Sequence, residues 1–412
     1  MDIFNKCIDF ARHKELRDMG CYPYFCGISE NQGPVVTMAG KKVIMAGSNN
    51  YLGLTDDARV KEAARQAITR YGTGCSGSRL LNGSYDIHTE LEEMLAAFLG
   101  KEAALLFSTG FQTNQGAITP LMGRKDVLLC DKENHSSIFQ GALIVKGTIG
   151  RDAVVKYRHN DMKDIENKLS KLPADYGKLI VTDGVFSMMG DIVNLPDLAR
   201  IASKYNARIM IDDAHGLGVL GNGRGTAQSF GLNDKADMIM GTFSKSFASL
   251  GGFIAACKPV IEYIKHHSPA LIFSASMTPA QTATVKKTLE IIREEPHRMD
   301  RLYAVQKRVR TELKKMGYNV PDGIVPIIPV IIGDDLLTFR LWKTLFEKGI
   351  FVNAIISPAV PHSKQLLRLS FMSTHEDRHI DYLLEIFDDI ASKQKIFQTD
   401  RYKSSYEEIR AL

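Results

Sequence analysis

Short, nearly continuous apolar runs recur along the middle of the chain, and segments of helical periodicity separate them. The runs that predict strands are residues 103–107, 126–130, 178–182, 208–211, 238–240 and 252–256. Strands that are apolar on both faces are typical of a largely parallel sheet, because helices cover such a sheet on both sides. The pattern therefore predicts an α/β domain in this part of the chain.

The pattern changes after Pro296. The elements predicted there are a long charged helix through Lys315, strands near 325–332, 350–355 and 366–372, and a helix over 379–393. Before the α/β region, the sequence predicts an amphipathic helix over 2–19 and a hairpin over 35–44. We therefore expect an N-terminal arm at 1–45, a large domain at 46–295 and a smaller α+β domain at 296–412.

The composition is that of an ordinary globular protein, with 44% hydrophobic and 24% charged residues among 412. The net charge of +5 is scattered, so no nucleic-acid partner is expected. Six cysteines without metal-ligand spacing predict reduced thiols and no metal site. No signal peptide or membrane-spanning run is predicted, and we expect a cytoplasmic protein. The apolar face of residues 2–19 leaves open whether it packs on protein or on a membrane surface.

Lys245 is the strongest candidate for chemistry. It lies among small hydroxyl residues and glycines in the segment 241–252, just after a predicted strand. A lysine at a strand end can be both desolvated and reachable, which imine formation requires. Asp212 and His215 follow another strand end, where ligands of open α/β sheets bind. A carboxylate there could hold a pyridinium nitrogen, and the histidine could bond a ring hydroxyl.

Glycine-rich segments offer an alternative site. Gly216 to Gly221 match G-x-G-x-x-G, the fingerprint of a dinucleotide site, but the residues that follow are a poor helix start. Such a site begins a helix immediately, so a nicotinamide cofactor is the weaker interpretation. The small-residue loops 71–79 and 108–114 are candidate anion sites, the second because it precedes a helical pattern.

Two further residues stand out by their positions. His135 follows a predicted strand end, although an isolated histidine is more often an ordinary hydrogen-bonded residue. Arg368 interrupts the apolar run 366–371. A guanidinium in an apolar strand needs a fixed anion, which is either a substrate carboxylate or a structural acid. The residues alone leave both alternatives open.

Five segments of the chain form a set of motifs: 48–54 (Ser-Asn-Asn-Tyr-Leu-Gly-Leu), 72–79 (Gly-Thr-Gly-Cys-Ser-Gly-Ser-Arg), 183–188 (Asp-Gly-Val-Phe-Ser-Met), 212–216 (Asp-Asp-Ala-His-Gly) and 241–246 (Gly-Thr-Phe-Ser-Lys-Ser). Together they resemble the α-oxoamine synthases, which are pyridoxal 5'-phosphate (PLP) enzymes of fold type I. They occur in the family's order and spacing. The resemblance implies a mostly parallel seven-stranded sheet in the large domain, a smaller α+β C-terminal domain, PLP as cofactor and a homodimer with shared active sites.

The resemblance also implies roles for the matching residues. Lys245 would form the imine with the cofactor aldehyde and act as acid and base at the substrate Cα. Asp212 would pair with the pyridine nitrogen and His215 with the ring hydroxyl, and His135 would stack on the ring.

The remaining implied roles concern binding. Contacts to the ring oxygen or the phosphate would come from Gly110, Phe111, Ser187, Thr242, Ser244 and, toward the partner subunit, Ser274. Arg368 would bind the amino acid carboxylate, and Asn50 would contact the substrate. An idle scaffolding subunit is the alternative from another class, but such a subunit would need none of these residues.

The segments 74–83, 185–196, 244–253 and 357–361 resemble most the bacterial family members that condense L-serine with a long-chain acyl-CoA such as palmitoyl-CoA. The products would be 3-ketodihydrosphingosine, CoA and CO2, in the first step of sphingolipid synthesis. Two family activities stay open, namely 8-amino-7-oxononanoate synthesis from alanine and a pimeloyl thioester, and 2-amino-3-ketobutyrate CoA ligation. Met189 and Ile356 depart from the pattern, and Ile356 leaves open how the substrate carboxylate is managed. Peripheral contact with the inner membrane is also left open.

Overall fold

The computed structural model describes residues 2–393 and divides the chain into two compact units. One unit is Asn49–Arg301, and the other combines the chain before residue 49 with the chain after residue 301. The predicted domain limits, 45/46 and 295/296, lie a few residues before these boundaries.

The strands, in chain order, are β1 (Ile28–Gln32), β2 (Val35–Met38), β3 (Lys41–Met45), β4 (Ala103–Phe107), β5 (Asp126–Asp131), β6 (Val154–Tyr157), β7 (Gly177–Asp183), β8 (Arg208–Asp212), β9 (Met238–Thr242), β10 (Gly252–Ala256), β11 (Ile327–Ile331), β12 (Ile350–Phe351), β13 (Asn353–Ile355) and β14 (Leu366–Ser370).

The α-helices are α1 (Asn5–Ile8), α2 (Arg12–Asp18), α3 (Ala58–Tyr71), α4 (Asp86–Leu99), α5 (Gly110–Ile118), α6 (Ser136–Thr148), α7 (Met162–Leu169), α8 (Leu195–Lys204), α9 (Thr226–Ser229), α10 (Lys258–His267), α11 (Pro269–Ile272), α12 (Pro279–Glu294), α13 (His297–Lys315), α14 (Asp335–Glu347) and α15 (Asp377–Lys393). Short 3₁₀ turns lie at Leu54–Asp56, Thr119–Leu121 and Arg151–Ala153.

The unit Asn49–Arg301 is built on a seven-stranded sheet of order β4-β10-β9-β8-β7-β5-β6. Strand β10 is antiparallel to both of its neighbours, and the other pairs are parallel. Successive side chains of one strand enter opposite cores: Ile209 and Ile211 pack on one face, and Met210 packs on the other. The sheet is thus buried on both sides, which explains its continuous apolar runs. The predicted fold class is confirmed.

The other unit contains two small sheets, β1-β2-β3-β12 and β11-β14-β13. The hairpin predicted over 35–44 is formed by the antiparallel strands β2 and β3. The single helix predicted over 2–19 is wrong, since the structure has the short helices α1 and α2 instead. Ile3, Phe4 and Ile8 are exposed there, so no buried apolar face supports a longer helix. Within residues 2–393, no helix is long and apolar enough to cross a bilayer.

Candidate active site

Polar side chains follow the carboxyl ends of adjacent strands of the seven-stranded sheet. Asp183 ends β7 and Asp212 ends β8, and the strand register pairs them directly. Thr242 ends the next strand, β9. A cavity of about 290 Å³ opens at this edge, where ligands of open α/β sheets bind. The edge is therefore the candidate active site of the unit Asn49–Arg301.

The structure brings most of the residues singled out from the sequence to this one cavity. Its lining includes Gly110, Phe111, His135, Ser187, Asp212, His215, Thr242, Ser244 and Lys245. They come from five separate segments of the chain, so the sheet, rather than any local motif, assembles them. Their individual chemical roles stay predictions.

Lys245 lies in the loop after β9, and the loop is anchored on both sides of the lysine. Phe243 and Phe247 are fully buried, while Lys245 is half-buried and lines the cavity. The Ala248 amide donates to the Lys245 carbonyl at 3.0 Å, which closes a turn. The two buried rings hold the lysine backbone against the core, so the amine is presented to the cavity from a fixed base.

Asp212 is held by two donors. Its Oδ1 accepts from the Ala214 amide at 3.1 Å, and its Oδ2 accepts from Asn114 Nδ2 at 2.6 Å. Asn114 lies in α5 and is completely buried. Two donors fix the direction of this carboxylate, which makes it suited to pair with a pyridinium nitrogen. Sequence reasoning missed Asn114; an amide on the buried face of a helix was the available signal.

A chain of hydrogen bonds links Asp212 to His135. Asn114 Nδ2 also donates to Ser137 Oγ at 2.8 Å, and that hydroxyl lies 2.7 Å from His135 Nδ1. The Ser137 amide donates to the same ring nitrogen at 3.3 Å, so Nδ1 is an acceptor and Nε2 carries the hydrogen. Burial lowers the pKa of His135. The histidine is therefore neutral, with its tautomer set by Ser137.

Two more residues that sequence reasoning missed form hydrogen bonds to the histidines of the cavity. Tyr51 is fully buried, and its hydroxyl lies 2.7 Å from His215 Nδ1. Asp183 accepts from the His135 amide at 3.2 Å. Burial, and after it the nearby Asp212 carboxylate, raises the pKa of Asp183 well above its usual value. The neutral form of Asp183 is therefore favoured.

The start of α5 offers an anion site at one end of the cavity. Thr109 caps the helix by accepting from the Gln112 amide, and Gly110 and Phe111 line the cavity. A Cβ at Gly110 would lie 2.5 Å from Thr242 Oγ1, so only glycine allows this approach. Thr242 Oγ1 is in turn 3.0 Å from Ser244 Oγ. A helix N-terminus flanked by hydroxyls is suited to a phosphate group.

These residues fit PLP. The cavity combines the Asp212 carboxylate for the pyridine nitrogen, a helix start with hydroxyls for the phosphate, and a lysine for the aldehyde. The three groups have different chemistry and come from different strand ends. Each of them can therefore bind a different part of the cofactor.

Three predicted site residues lie elsewhere. Ser274 accepts from Gln112 Nε2 at 3.0 Å, just outside the cavity lining. Asn50 is buried and holds the turn that follows it, since its Oδ1 accepts from the Leu54 amide at 3.1 Å. Arg368 belongs to the other unit, where it is buried in β14 with Nη1 3.5 Å from Ser370 Oγ. The roles predicted for these residues stay predictions.

The structure does not support the nicotinamide interpretation of Gly216–Gly221. Turns follow β8 there, and the next helix, α9, begins only at Thr226 and has 4 residues. The first glycine instead packs against the buried Asp213 carboxylate, since a Cβ at Gly216 would lie 2.0 Å from Asp213 Oδ1. That carboxylate accepts from the Thr226 amide and hydroxyl. The motif therefore forms turns, and only its first glycine lies beside the carboxylate.

Known proteins resemble this chain over nearly its whole length. The family model described as aminotransferase class I and II matches residues 41–387. A serine palmitoyltransferase of Sphingobacterium spiritivorum is 50% identical over 90% of this chain and 92% of its own. An 8-amino-7-oxononanoate synthase of Thermosipho melanesiensis is 39% identical over 95% and 98%. A solved serine palmitoyltransferase with PLP as an internal aldimine is 32% identical, with a TM-score of 0.91 over 96% of this chain and 100% of its own.

The chain belongs to the aminotransferase class I and II family. The expectation of a PLP-dependent acyltransferase of the α-oxoamine synthase type is confirmed.

Proposed function

We propose that the protein condenses L-serine with a long-chain acyl-CoA, palmitoyl-CoA in particular, to give 3-ketodihydrosphingosine, CoA and CO2. The observation that carries the chemistry is the convergence of Lys245, Asp212 and His135 on one cavity. The choice of substrates is supported by relatives at 45–50% identity that are named serine palmitoyltransferases.

PLP, when bound, supplies an electron sink for the negative charge that develops at the amino acid Cα. Asp212 would hold its pyridine nitrogen and His215 its ring hydroxyl. The start of α5 and the hydroxyls of Thr242 and Ser244 would hold its phosphate.

The protein's own residues control protons around that group. The Lys245 amine takes the proton from the serine Cα and returns a proton after CO2 has left. Asn114 and the Ala214 amide donate to Asp212 and fix the direction of its carboxylate, which would pair with the pyridine nitrogen of bound PLP. His135 stays neutral, so it offers a flat ring face without adding positive charge near the lysine.

Replacing Lys245 tests the proposal. With serine and palmitoyl-CoA, we expect Lys245→Ala to lower CoA release by on the order of a thousandfold, because the group that moves the Cα proton is lost. CoA release is measured with a thiol reagent, and the ketone product by mass spectrometry. Lys235→Ala is the matched control, since Lys235 pairs with Asp234 on the surface. Undiminished activity in Lys245→Ala would overturn the proposal.

Oxononanoate synthesis is the second candidate, because the Thermosipho melanesiensis synthase matches nearly the whole chain. A panel of serine, alanine and glycine against acyl-CoA donors from pimeloyl to stearoyl separates the activities. Faster CoA release with alanine and pimeloyl-CoA than with serine and palmitoyl-CoA would favour the second candidate, and glycine with a short acyl-CoA would indicate the ligase.

We also propose that the enzyme is a cytoplasmic homodimer whose subunits complete each other's active sites. Phe111 and Leu250 line the cavity, yet they are 43% and 46% exposed. Leu81 and Phe273 are exposed by 78% and 85% on neighbouring segments, which meet where Ser78 bridges Ala275. An apolar surface of this kind at the rim of a cavity is typical of a subunit interface. Contact with a membrane surface stays a proposal that rests on exposed residues 3–10.

A further inference from the structure

His159 lies outside the cavity, in a cluster of acids at the end of β5. Its Nδ1 is 3.0 Å from Asp131 Oδ1, and its Nε2 is 2.8 Å from Asp191 Oδ2. Glu133 Oε2 lies 3.8 Å from the same Nε2. Ionised carboxylates only accept hydrogen bonds, so both ring nitrogens must carry hydrogen and His159 must be an imidazolium.

The surroundings favour that charge. Burial lowers the pKa of His159, but the hydrogen bonds to Asp131 and Asp191 and their charges outweigh it and raise the pKa to about 10. At neutral pH the imidazolium therefore joins two carboxylates that belong to different segments of the chain.

Asn160 extends the same connection. Its amide donates to Asp131 Oδ2 at 2.8 Å, and its Nδ2 donates to the Ile192 carbonyl at 3.0 Å. Its Oδ1 accepts from the Asn194 amide at 2.9 Å. Residues 159 and 160 thus tie the end of β5 to residues 191–194 through both side chains.

The tied segment carries a residue of the cavity. Residues 184–194 fold back on themselves, because the Phe186 amide donates to the Asp191 carbonyl at 2.9 Å and Val185 bridges Ile192. The Phe186 ring also packs edge-on against His159, with centroids 4.4 Å apart. Ser187 lies in this closed segment and lines the cavity. A displacement of Asp191 would therefore also move Ser187.

Asp131, the other hydrogen-bond partner of His159, lies at the start of the turn that leads to His135. Asp131 Oδ1, which holds His159, also accepts from the Glu133 amide at 2.8 Å. This bond shapes the turn between β5 and His135, the first of the cavity residues on that side. The His159 imidazolium is thus hydrogen-bonded to both chain segments that carry a cavity residue here, the one with Ser187 and the one with His135.

We propose that His159 is a positioning residue for cofactor binding: it fastens the segment 184–194 to the end of β5 and so fixes Ser187 relative to His135. The inference rests on the proposed contact of Ser187 with the cofactor. His159 itself does not line the cavity among the residues described.

The test measures PLP affinity, which needs no substrate and so does not depend on which amino acid or thioester the enzyme uses. Apoenzyme is titrated with PLP and the visible absorbance is followed. We expect His159→Gln to weaken binding roughly tenfold, which corresponds to about 1.4 kcal/mol. Asp191→Asn removes the partner charge and is expected to have the same effect. His266→Gln, a change at an exposed histidine on α10, should leave the affinity unchanged.

A double-mutant cycle shows whether His159 acts through Ser187. We expect Ser187→Ala to weaken binding by itself, and His159→Gln to add nothing in the Ser187→Ala background. Independent, additive losses would overturn the proposal, as would unchanged affinity in both His159→Gln and Asp191→Asn. Thermal unfolding of each apoenzyme checks the fold; if His159→Gln does not fold, the cycle is run with Asp191→Asn. If the enzyme shows no activity with serine and palmitoyl-CoA but the double-mutant cycle gives the expected PLP affinities, the proposed substrates are rejected and the role of His159 is still supported.

Discussion

Single buried polar residues determine the chemistry of the cavity. The sequence predicted the two residues at the ends of the hydrogen-bond chain, but it did not predict the two residues that connect them. Asp212 and His135 follow apolar strands and were predicted. Asn114 and Ser137, which connect them, lie inside or at the start of helices. Asn114 is 98 residues from Asp212 in the chain. No local pattern could pair them, because the pairing depends on where α5 meets β8.

The charge on His159 predicts how the thermal stability of the protein changes with pH. A folded-state pKa of about 10 lies above the ordinary value of 6.5, so the imidazolium stabilises the fold fully below pH 6.5 and this contribution is lost as pH rises through 10. We expect the difference in Tm between wild type and His159→Gln to be larger at pH 6 than at pH 10.5. Differential scanning calorimetry at both pH values measures it.

The titratable groups that face His159 are Asp131, Glu133 and Asp191. His266→Gln controls for the general effect of alkaline pH. A Tm difference that stays constant between the two pH values would show that His159 is not charged in the folded protein.

At the scale of elements, the apolar runs predicted the strands well, and burial explains both the successes and the gaps. Predicted strands 103–107 and 252–256 match β4 and β10 residue for residue. Strand β6 was not predicted. It lies at the edge of the sheet, where Lys156 is exposed, so it lacks the continuous apolar run of the inner strands. The antiparallel direction of β10 also left no mark in the sequence pattern.

The contact between β10 and α5 can be tested with one methyl group. A Cβ at Gly252 would lie 2.5 Å from Thr113 Oγ1 and 2.8 Å from Gly110 Cα. We expect Gly252→Ala to push the first turn of α5 away from the sheet, which lowers stability by about 1–3 kcal/mol and weakens PLP binding. Thermal unfolding and PLP titration measure the two effects.

Gly147→Ala is the matched control for this substitution. Gly147 is exposed in α6, and a Cβ there would meet nothing within 4 Å. Alanine should therefore stabilise this helix by about 0.5–1 kcal/mol. Equal behaviour of the two variants would mean that the close approach of α5 to β10 does not constrain the site.

At the scale of the whole molecule, the exposed apolar rim of the cavity predicts a dimer. We expect sedimentation to show a dimer for the wild type, and Leu81→Asp to shift it toward monomer with loss of activity, because a charge would be buried in the interface. Leu336→Asp is the control, since Leu336 is also exposed but lies at the start of α14 in the other unit. A monomeric wild type with full activity would contradict the proposed shared site.

The sequence by itself determined the class of fold, the family and the main chemical groups. Alternation of apolar runs with helical segments follows from burial on two faces of a sheet, and the segments around Lys245, Asp212 and His215 are local. The tertiary structure alone decided which residues support those groups. Asn114, Tyr51, Asp183 and His159 act through contacts between segments far apart in the chain. Such contacts exist only after the strands have paired, because hydrogen bonds a few ångströms long require a fixed sheet register, which periodicity does not encode.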